Sequence, residues 1–595
     1  MPEHILIAIA WPYASAKIHA GNVTSSHLPG DICARYHRLN GDHVLMVSGS
    51  DSHGTPITVR ADEEGKAPRE VFERFHHEFL DMFLRLGISY NLFTHTDTEN
   101  HHRVSQDFFL ALLEKGYLYK EVQEQMYSEA LDRFLPDRYV EGTCPICGYE
   151  DARGDQCENC NTLLDPKELI NPRSKQDGST PVIRQTEHFF LDLPKLAEVG
   201  LSEWLDDGKE HWRPNVTSFS RNYVNEGLQS RPITRDLKWG IPVPVEGWEG
   251  KCLYVWFEAV IGYFSASVEW AHDQGQPEAW KHWWYDPSAK TKYFIGKDNI
   301  PFHTVIWPAE LMGVERLYDD DETRKLNLPY DVPASEWMNL EGRKISGSRN
   351  WAVWMDEVLE RYDPDQLRYY LTTAMPESRD TDWLWGNFVS RNNDELVATW
   401  GNLVNRAMTF AYKRFDGRVP KPGPLTDTDT QLLNKIEAGF EPIGAMIAGC
   451  QFRAALREVM ALAREANRYL EEKGPWFQIK ENPEAAGTTI CVALKAIDSL
   501  KTLFAPFLPF SSERVHQYLG YDGALFGSSY TDTFTEENGR VHEALCYDPS
   551  GATGQWKPSE LAPGQALRES APLFKKLDES VVEEELARIG AAPAT

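Results

Sequence analysis

Two apolar runs near the amino terminus decide the fold: His4-Ile5-Leu6-Ile7-Ala8-Ile9-Ala10 and Asp42-His43-Val44-Leu45-Met46-Val47-Ser48-Gly49. Each is short and apolar almost throughout, the pattern of a buried strand in a parallel sheet. Pro12 ends the first. A loop through Ala14-Ser15-Ala16-Lys17 leads to His19-Ala20-Gly21-Asn22, and His27 to Leu39 then carries helical periodicity at Leu28, Ile32, Arg35, Tyr36 and Leu39. Strand, loop, helix, strand opens a doubly wound α/β domain, whose ligands bind beyond the carboxyl ends of the strands. Polar clusters stand at both such ends, His19 to Asn22 after the first and Asp51-Ser52-His53-Gly54 after the second.

Outward from this core the texture changes near Gly116, where a cysteine quartet and a polar loop (Asn171 to Thr180) suggest an insertion. The α/β pattern is expected to return at Lys251-Cys252-Leu253-Tyr254-Val255-Trp256-Phe257 and at Lys292-Tyr293-Phe294-Ile295-Gly296-Lys297-Asp298. A polar loop, Glu341 to Arg349, follows Trp337-Met338-Asn339-Leu340. Beyond Asn387 the chain reads as helical. Leu396, Trp400, Leu403, Ala407, Phe410 and Arg414 share one face of a wheel turning about 100° per residue. Residues past Ser528 read as a peripheral tail ending in one short helix. The chain therefore divides at 1–115, 116–230, 231–335, 336–386, 387–527 and 528–595.

A chain of 595 residues calls for several domains, each able to bury its own core. No apolar run approaches the length that spans a bilayer, and the first residues lack the basic start of a signal peptide, so a cytoplasmic protein without membrane contact is expected. Asp and Glu outnumber Lys and Arg by 90 to 61. That excess argues against a general affinity for nucleic acid, although a local basic stripe can exist on an acidic protein.

Cys144-Pro145-Ile146-Cys147 and Cys157-Glu158-Asn159-Cys160 pair two CxxC turns. Four thiolates from such turns close a tetrahedral zinc site with no open position for chemistry, so one structural Zn2+ per chain is expected. His19 and the backbone around Gly21 stand where a helix begins, a place that favours phosphate. Gly342-Arg343-Lys344-Ile345-Ser346-Gly347-Ser348-Arg349 adds a second phosphate-handling segment, with a lysine and two hydroxyls in a Gly-containing loop.

Together these segments resemble the two signature motifs of class I aminoacyl-tRNA synthetases, usually His-Ile-Gly-His and Lys-Met-Ser-Lys-Ser. Pro12-Tyr13-Ala14, Asp51 to Ile57, Tyr254-Val255-Trp256, Phe294 to Asp298 and Phe302-His303 are similar to the methionyl-tRNA synthetase family in particular. The likeness runs in unbroken motif order from about residue 4 to 520. It implies a Rossmann-type catalytic domain split into 1–115 and 231–335 by a zinc-bearing connective insertion (116–230). A mobile signature loop and stem-contact region (336–386), an α-helical anticodon-binding domain (387–527) and a tail (528–595) follow. It implies ATP with Mg2+, L-methionine and methionine tRNA as partners, and activation of methionine before its transfer to tRNA.

By that resemblance Trp11, Tyr13, Asp51, Trp256, Ala259, Tyr263 and His303 line the methionine pocket. Asp51 suits the substrate ammonium, Trp256 and Tyr263 offer faces to the thioether, and Tyr13 and His303 place polar hydrogens near the sulfur. His19, Gly21, Asn22, Lys297, Asp298, Lys344, Ser346, Gly347 and Ser348 bind ATP, with His19, Asn22 and Lys344 catalytic and Arg235 near the reacting phosphate. Two positions depart from the pattern: Asn22 replaces a histidine and Gly347 replaces the second lysine. Lys344, backbone N–H groups and Lys297 are then expected to carry the pyrophosphate. Asn402, Arg406 and Trp476 of Gly474-Pro475-Trp476 correspond to the family's anticodon readers; Glu395, Thr399 and Lys413 share that helix flank. The segment from 116 to 230 is too short for the editing insertion of the aliphatic relatives. The chain stops without an appended tRNA-binding domain used by some relatives to dimerise, so a monomer is expected.

Overall fold

In a computed structural model of the chain, described for residues 2–590 apart from 137, 138, 155, 156, 158, 161 and 163, the two opening runs are adjacent parallel strands. The central sheet contains β1 (His4–Ile9), β2 (His43–Ser50), β3 (Leu92–His95), β4 (Lys290–Gly296), β5 (Ala334–Ser335), β6 (Ser528–Thr535) and β7 (Val541–Asp548). Their spatial order is β5-β4-β1-β2-β3-β7-β6. Within this sheet β1 to β5 run parallel, with Ile5 opposite Val44 on one side and Lys290 on the other. Because β2 and β3 lie on one side of β1, and β4 and β5 on the other, the strand order reverses between β1 and β4. A crevice for a ligand opens at such a reversal.

The chain leaves β1 through Trp11 to Ile18 and enters a continuous helical segment from Ala20, ending in α1 (Leu28–Leu39). Gly30 of α1 lies against β1: a Cβ there would stand 2.1 Å from Ile9 Cδ1, so any larger residue would push that side chain aside. Between β3 and β4 the insertion builds its own four-stranded antiparallel sheet around the long pair Leu118–Ser128 and Val182–Leu191.

The α/β pattern expected at Lys251 to Phe257 takes the form of a very short strand followed at once by a helix. Only Cys252–Leu253 is extended, and Val255 opens α2 (Val255–Asp273), a helix buried on almost every side. A short apolar run does not distinguish a buried strand from the start of a buried helix.

The helical region contains α3 (Asn402–Arg414), α4 (Phe452–Lys473) and α5 (Pro483–Phe504). Leu396, Trp400, Leu403 and Ala407 are fully buried as the wheel requires, whereas Phe410 is half-buried and Arg414 exposed. The backbone from Asn392 to Gly401 makes wider π-type turns, so the buried face of α3 moves round to Val404, Met408 and Ala411.

The tail is not peripheral. β7 pairs antiparallel with β3, placing Leu545 opposite Phe93, and β6 completes the hairpin at the sheet edge. The expected short helix is α6 (Ser580–Arg588), held by Glu585, which accepts from Arg361 and from the Tyr362 hydroxyl at 2.7 Å. Arg368 and Asp31, both fully buried, join the body of the molecule at 2.6 Å. Arg368 also donates to the carbonyls of Phe507 and Pro506, fastening α1 to the helical region.

Candidate active site

The carboxyl ends of β1 and β2 are locked together before any ligand arrives. Asp51 N–H donates to the Pro12 carbonyl at 2.8 Å, and Ala14 N–H to the Asp51 carbonyl at 2.9 Å. Trp11 then fills a slot that exists because two facing residues lack side chains. A Cβ at Gly49 or Gly262 would come within 2.0 or 2.7 Å of the indole. The Trp11 indole N–H is buried and has no hydrogen-bond partner among the described residues. Tyr13 meets Trp256 edge to face at 6.0 Å, and Phe302 stacks on Trp256 at 4.3 Å. Trp256, Ala259 and Tyr263 come one turn apart along α2.

Asp51 is 3% exposed, and its carboxylate accepts from the His53 N–H at 3.3 Å. Burial, with the Glu258 carboxylate nearby, pushes its carboxyl well above the ordinary range. A buried carboxylate in this condition favours a cation at its side.

His303 corrects one expectation. Its Nδ1–H donates to the Asn299 carbonyl at 2.9 Å, which leaves Nε2 as acceptor for the Tyr263 hydroxyl at 2.7 Å. Burial holds the imidazole down at about 4, so the ring is neutral. Both polar hydrogens of this pair are therefore already used, and His303 has no free N–H to offer.

On the phosphate side, His19 caps its helix: Asn22 N–H donates to His19 Nδ1 at 3.3 Å, while His19 N–H donates to Asn22 Oδ1 at 3.1 Å. Burial lowers the His19 imidazole to about 4. The neutral ring carries its proton on Nε2 and can donate it to a phosphoryl oxygen. A Cβ on Gly21 would sit 3.2 Å from Ile345, so the two signature segments meet at this glycine. They are stitched together as well, since Ala20 N–H donates to Val353 O and Met355 N–H to Ile18 O.

Arg343–Lys344 pairs with Met338–Leu340, and Ser346 bridges to Trp351 across the Gly347–Arg349 turn. A Cβ on Gly347 would meet Trp354 at 3.3 Å. Lys297 and Lys344 flank Trp337, at 3.9 and 4.3 Å from its ring. They differ in their charges: Lys297 is ion-paired with Glu336 at 2.6 Å and Asp380 at 3.1 Å, while exposed Lys344 has no carboxylate partner among the described residues. Asp298 is exposed and accepts from the Trp337 indole at 3.0 Å. Arg235 donates to the Pro232 and Thr234 carbonyls and lies 3.8 Å over the Tyr254 ring, on a crevice of about 1490 Å³ between the insertion and the sheet. Tyr13 and Trp256 also line that crevice.

In the insertion, the Sγ atoms of Cys144, Cys147, Cys157 and Cys160 all lie within 4.8 Å of one another, with 3.9 Å between Cys144 and Cys160 and 3.6 Å between Cys147 and Cys157. Four thiolates about 2.3 Å from one ion would stand about 3.8 Å apart. The quartet fits a single metal ion.

The comparisons with known proteins now bear on this geometry. A family model described as class I tRNA synthetases (M) matches residues 5–408, and one described as the anticodon binding domain of methionyl tRNA ligase matches residues 419–539. The chain belongs to the methionine–tRNA ligase family. It is 56% identical to the methionine–tRNA ligase of Thermomicrobium roseum and 54% identical to that of Chloroflexus aurantiacus, each across 99% of both chains. A crystal structure of Mycobacterium tuberculosis methionyl-tRNA synthetase bound by methionyl-adenylate has the same fold, with a TM-score of 0.74 at 23% identity over 97% of this chain and 100% of that one.

Members of this family carry an anticodon-binding region, and here its three expected readers fall on one surface. Arg406 lies one turn beyond Asn402 on α3, and its guanidinium stacks 4.3 Å over the Trp476 ring. Glu395 and Thr399 have structural tasks on the same flank: Glu395 accepts from Tyr369 and Arg391, and Thr399 donates to the Asp394 carbonyl. Phe477 was missed by the sequence reasoning. It is 80% exposed beside Trp476, the most exposed large apolar side chain among the described residues. Its signal was adjacency to Trp476 on a Gly-Pro turn.

Proposed function

We propose a division of labour among these residues for the reaction of this ligase family. The protein activates L-methionine with ATP, forming methionyl-adenylate and pyrophosphate, and transfers the methionyl group to the 3′ end of methionine tRNA. The observation that carries the assignment is Asp51: a buried carboxylate at the end of β2, beside Trp11, Tyr13, Trp256, Tyr263 and His303, and one strand from the phosphate side. It would hold the methionine ammonium, with Ala259 at the aromatic wall.

The methionine carboxylate then attacks the α-phosphate of ATP, whose Mg2+ travels with the nucleotide. His19 donates its Nε2–H to the α-phosphoryl oxygen, and Asn22 supplies an uncharged donor where charge is usual. Gly21 leaves room for adenine, and Asp298 faces the ribose hydroxyls. Lys344 neutralises the departing pyrophosphate, helped by Ser346, Ser348 and the backbone at Gly347. Lys297 is the weaker contributor, being already paired with two carboxylates. The side chains act by position and charge, without a covalent enzyme intermediate. The crevice lined by Arg235 and Trp256 leads from the insertion to Tyr13 and would receive the tRNA 3′ end.

Asn402, Arg406 and Trp476 read the anticodon, whose splayed bases stack on aromatic rings. The cysteine quartet holds a structural Zn2+ that stabilises the insertion. None of the nine cysteines is in a disulfide, which suits a reducing cytoplasm. Charging of methionine tRNA with labelled methionine, against a panel of other amino acids, tests the assignment. Methionine-specific charging is expected; binding of methionine and tRNA without charging would overturn it in favour of a sensor.

A further inference from the structure

The carboxyl-terminal hairpin reaches the layer behind the methionine pocket at three places. Arg540, at its turn, stands 3.5 Å from Asp97 Oδ2 and donates to the Asp97 carbonyl. Asp97 Oδ1 lies 3.5 Å from His53 Nε2, and His53 Nδ1 lies 2.7 Å from Glu258 Oε1. His542 stands 3.2 Å from Glu269 on α2, the helix that also carries Glu258, Trp256 and Tyr263. The Glu543 carbonyl accepts from His76 Nε2–H at 2.8 Å, and His76 Nδ1 accepts from the hydroxyl of Ser50, the residue before Asp51, at 2.8 Å.

These links matter because two carboxylates, Asp51 and Glu258, are buried close enough to oppose each other's charge. His53 touches both, its Nδ1 lying 2.7 Å from Glu258 Oε1 and its backbone N–H donating to Asp51, while His101 Nε2 lies 2.7 Å from the other Glu258 oxygen. Burial works against a charge on the His53 imidazole, but Glu258 and Asp97 hold it at about 10. Asp97 is in turn ion-paired with Arg69 and Arg540, with His102 beside it. Interactions of this kind behave as a unit, so loss of an outer member is felt at the inner one.

We propose that Arg540 is a positioning residue for methionine, fixing Asp97 so that His53 keeps Glu258 paired and leaves the Asp51 carboxylate to the substrate ammonium. The inference rests on Asp51 as the ammonium acceptor. A segment more than 400 residues distant in sequence thus belongs to the amino-acid site without touching the amino acid.

The test is tRNA-independent pyrophosphate exchange by the full chain, with KM measured for methionine and for ATP. Arg540→Ala is expected to raise the methionine KM roughly tenfold, the size of a network coupling, with the ATP KM held within about twofold. Arg540→Lys should recover most of the loss. Asp97→Asn, which keeps the side-chain volume, should raise the methionine KM in the same way and extends the test should Arg540→Ala fold poorly. An unchanged methionine KM in Arg540→Ala and Asp97→Asn, while Asp51→Asn raises it, would overturn the inference alone. Parallel loss of kcat and both KM values with a lowered Tm and no rescue by lysine would also overturn it, as mere structure. An unchanged methionine KM in Asp51→Asn would remove the assignment of Asp51 and this inference with it.

Discussion

The two halves of the active site are built on opposite plans. Around Asp51 the groups are buried or half-buried and already held by one another: Tyr263 bonded to His303, His303 to Asn299, Trp11 packed in its glycine slot. Around Lys344 the groups are exposed, carried on a two-residue strand, and backed by the indoles of Trp337, Trp351 and Trp354. The difference follows the chemistry. An amino acid distinguished by shape needs walls that do not move, because a misplaced wall admits isosteres. A pyrophosphate that must depart needs charge that can follow it and let go.

The contrast can be broken by substitution. Asp51→Asn removes the buried charge, and methionine KM in pyrophosphate exchange should rise about a hundredfold or more, as expected when one partner of a buried charge pair is lost. A change under about threefold would mean the wall is not where discrimination occurs. On the other side, Lys344→Ala should slow activation by roughly one to two decades while leaving methionine KM near its starting value. Near-normal activation would shift the pyrophosphate contact to Lys297 and the backbone. Away from both, Trp476→Ala should raise the tRNA KM about tenfold with exchange unaltered; loss of both activities together would indicate misfolding.

The smallest effect is one of pH, and it sharpens the comparison further. His303 and His19 titrate near 4 in the folded protein against 6.5 when free. The unfolded chain therefore takes up protons as pH falls through about 6.5, and the native site does not until about 4. The stability contributed by these neutral rings is complete above that range and is lost as pH falls across it. Urea midpoints at pH 7, 5.5 and 4.5 should decline in that order. Midpoints that hold steady from pH 7 to 4.5 would mean that these two rings are not kept neutral in the native protein.

Much of this was legible in the chain and some was not, for physical reasons. β1 and β2 announced themselves because strands buried on both faces are short apolar runs. The cysteine quartet did so because two CxxC turns admit few other uses. α2 was hidden because a helix buried all round has no polar stripe to reveal its period. The hairpin was missed although Asn538-Gly539 is a strong turn signal; Ser528 to Thr535 is largely polar because β6 is an exposed edge strand, and composition drowned the turn. Partnerships such as Tyr263 with His303, or Lys297 with Glu336 and Asp380, join residues far apart in sequence and leave no local trace.

The pairing of β7 with β3 also bears on how the protein is made. Synthesis proceeds from the amino terminus, so β3 emerges with its outer edge bare and waits while the insertion and the whole helical region are produced. Its neighbour arrives about 450 residues later. Gly590, which donates to the Asn350 carbonyl beside the signature loop, arrives later still. An uncovered strand edge is a template for pairing with other chains, so each newly made copy passes through an interval in which it is both unfinished and adhesive, and a ribosome stalled before the hairpin would release a protein with an open sheet.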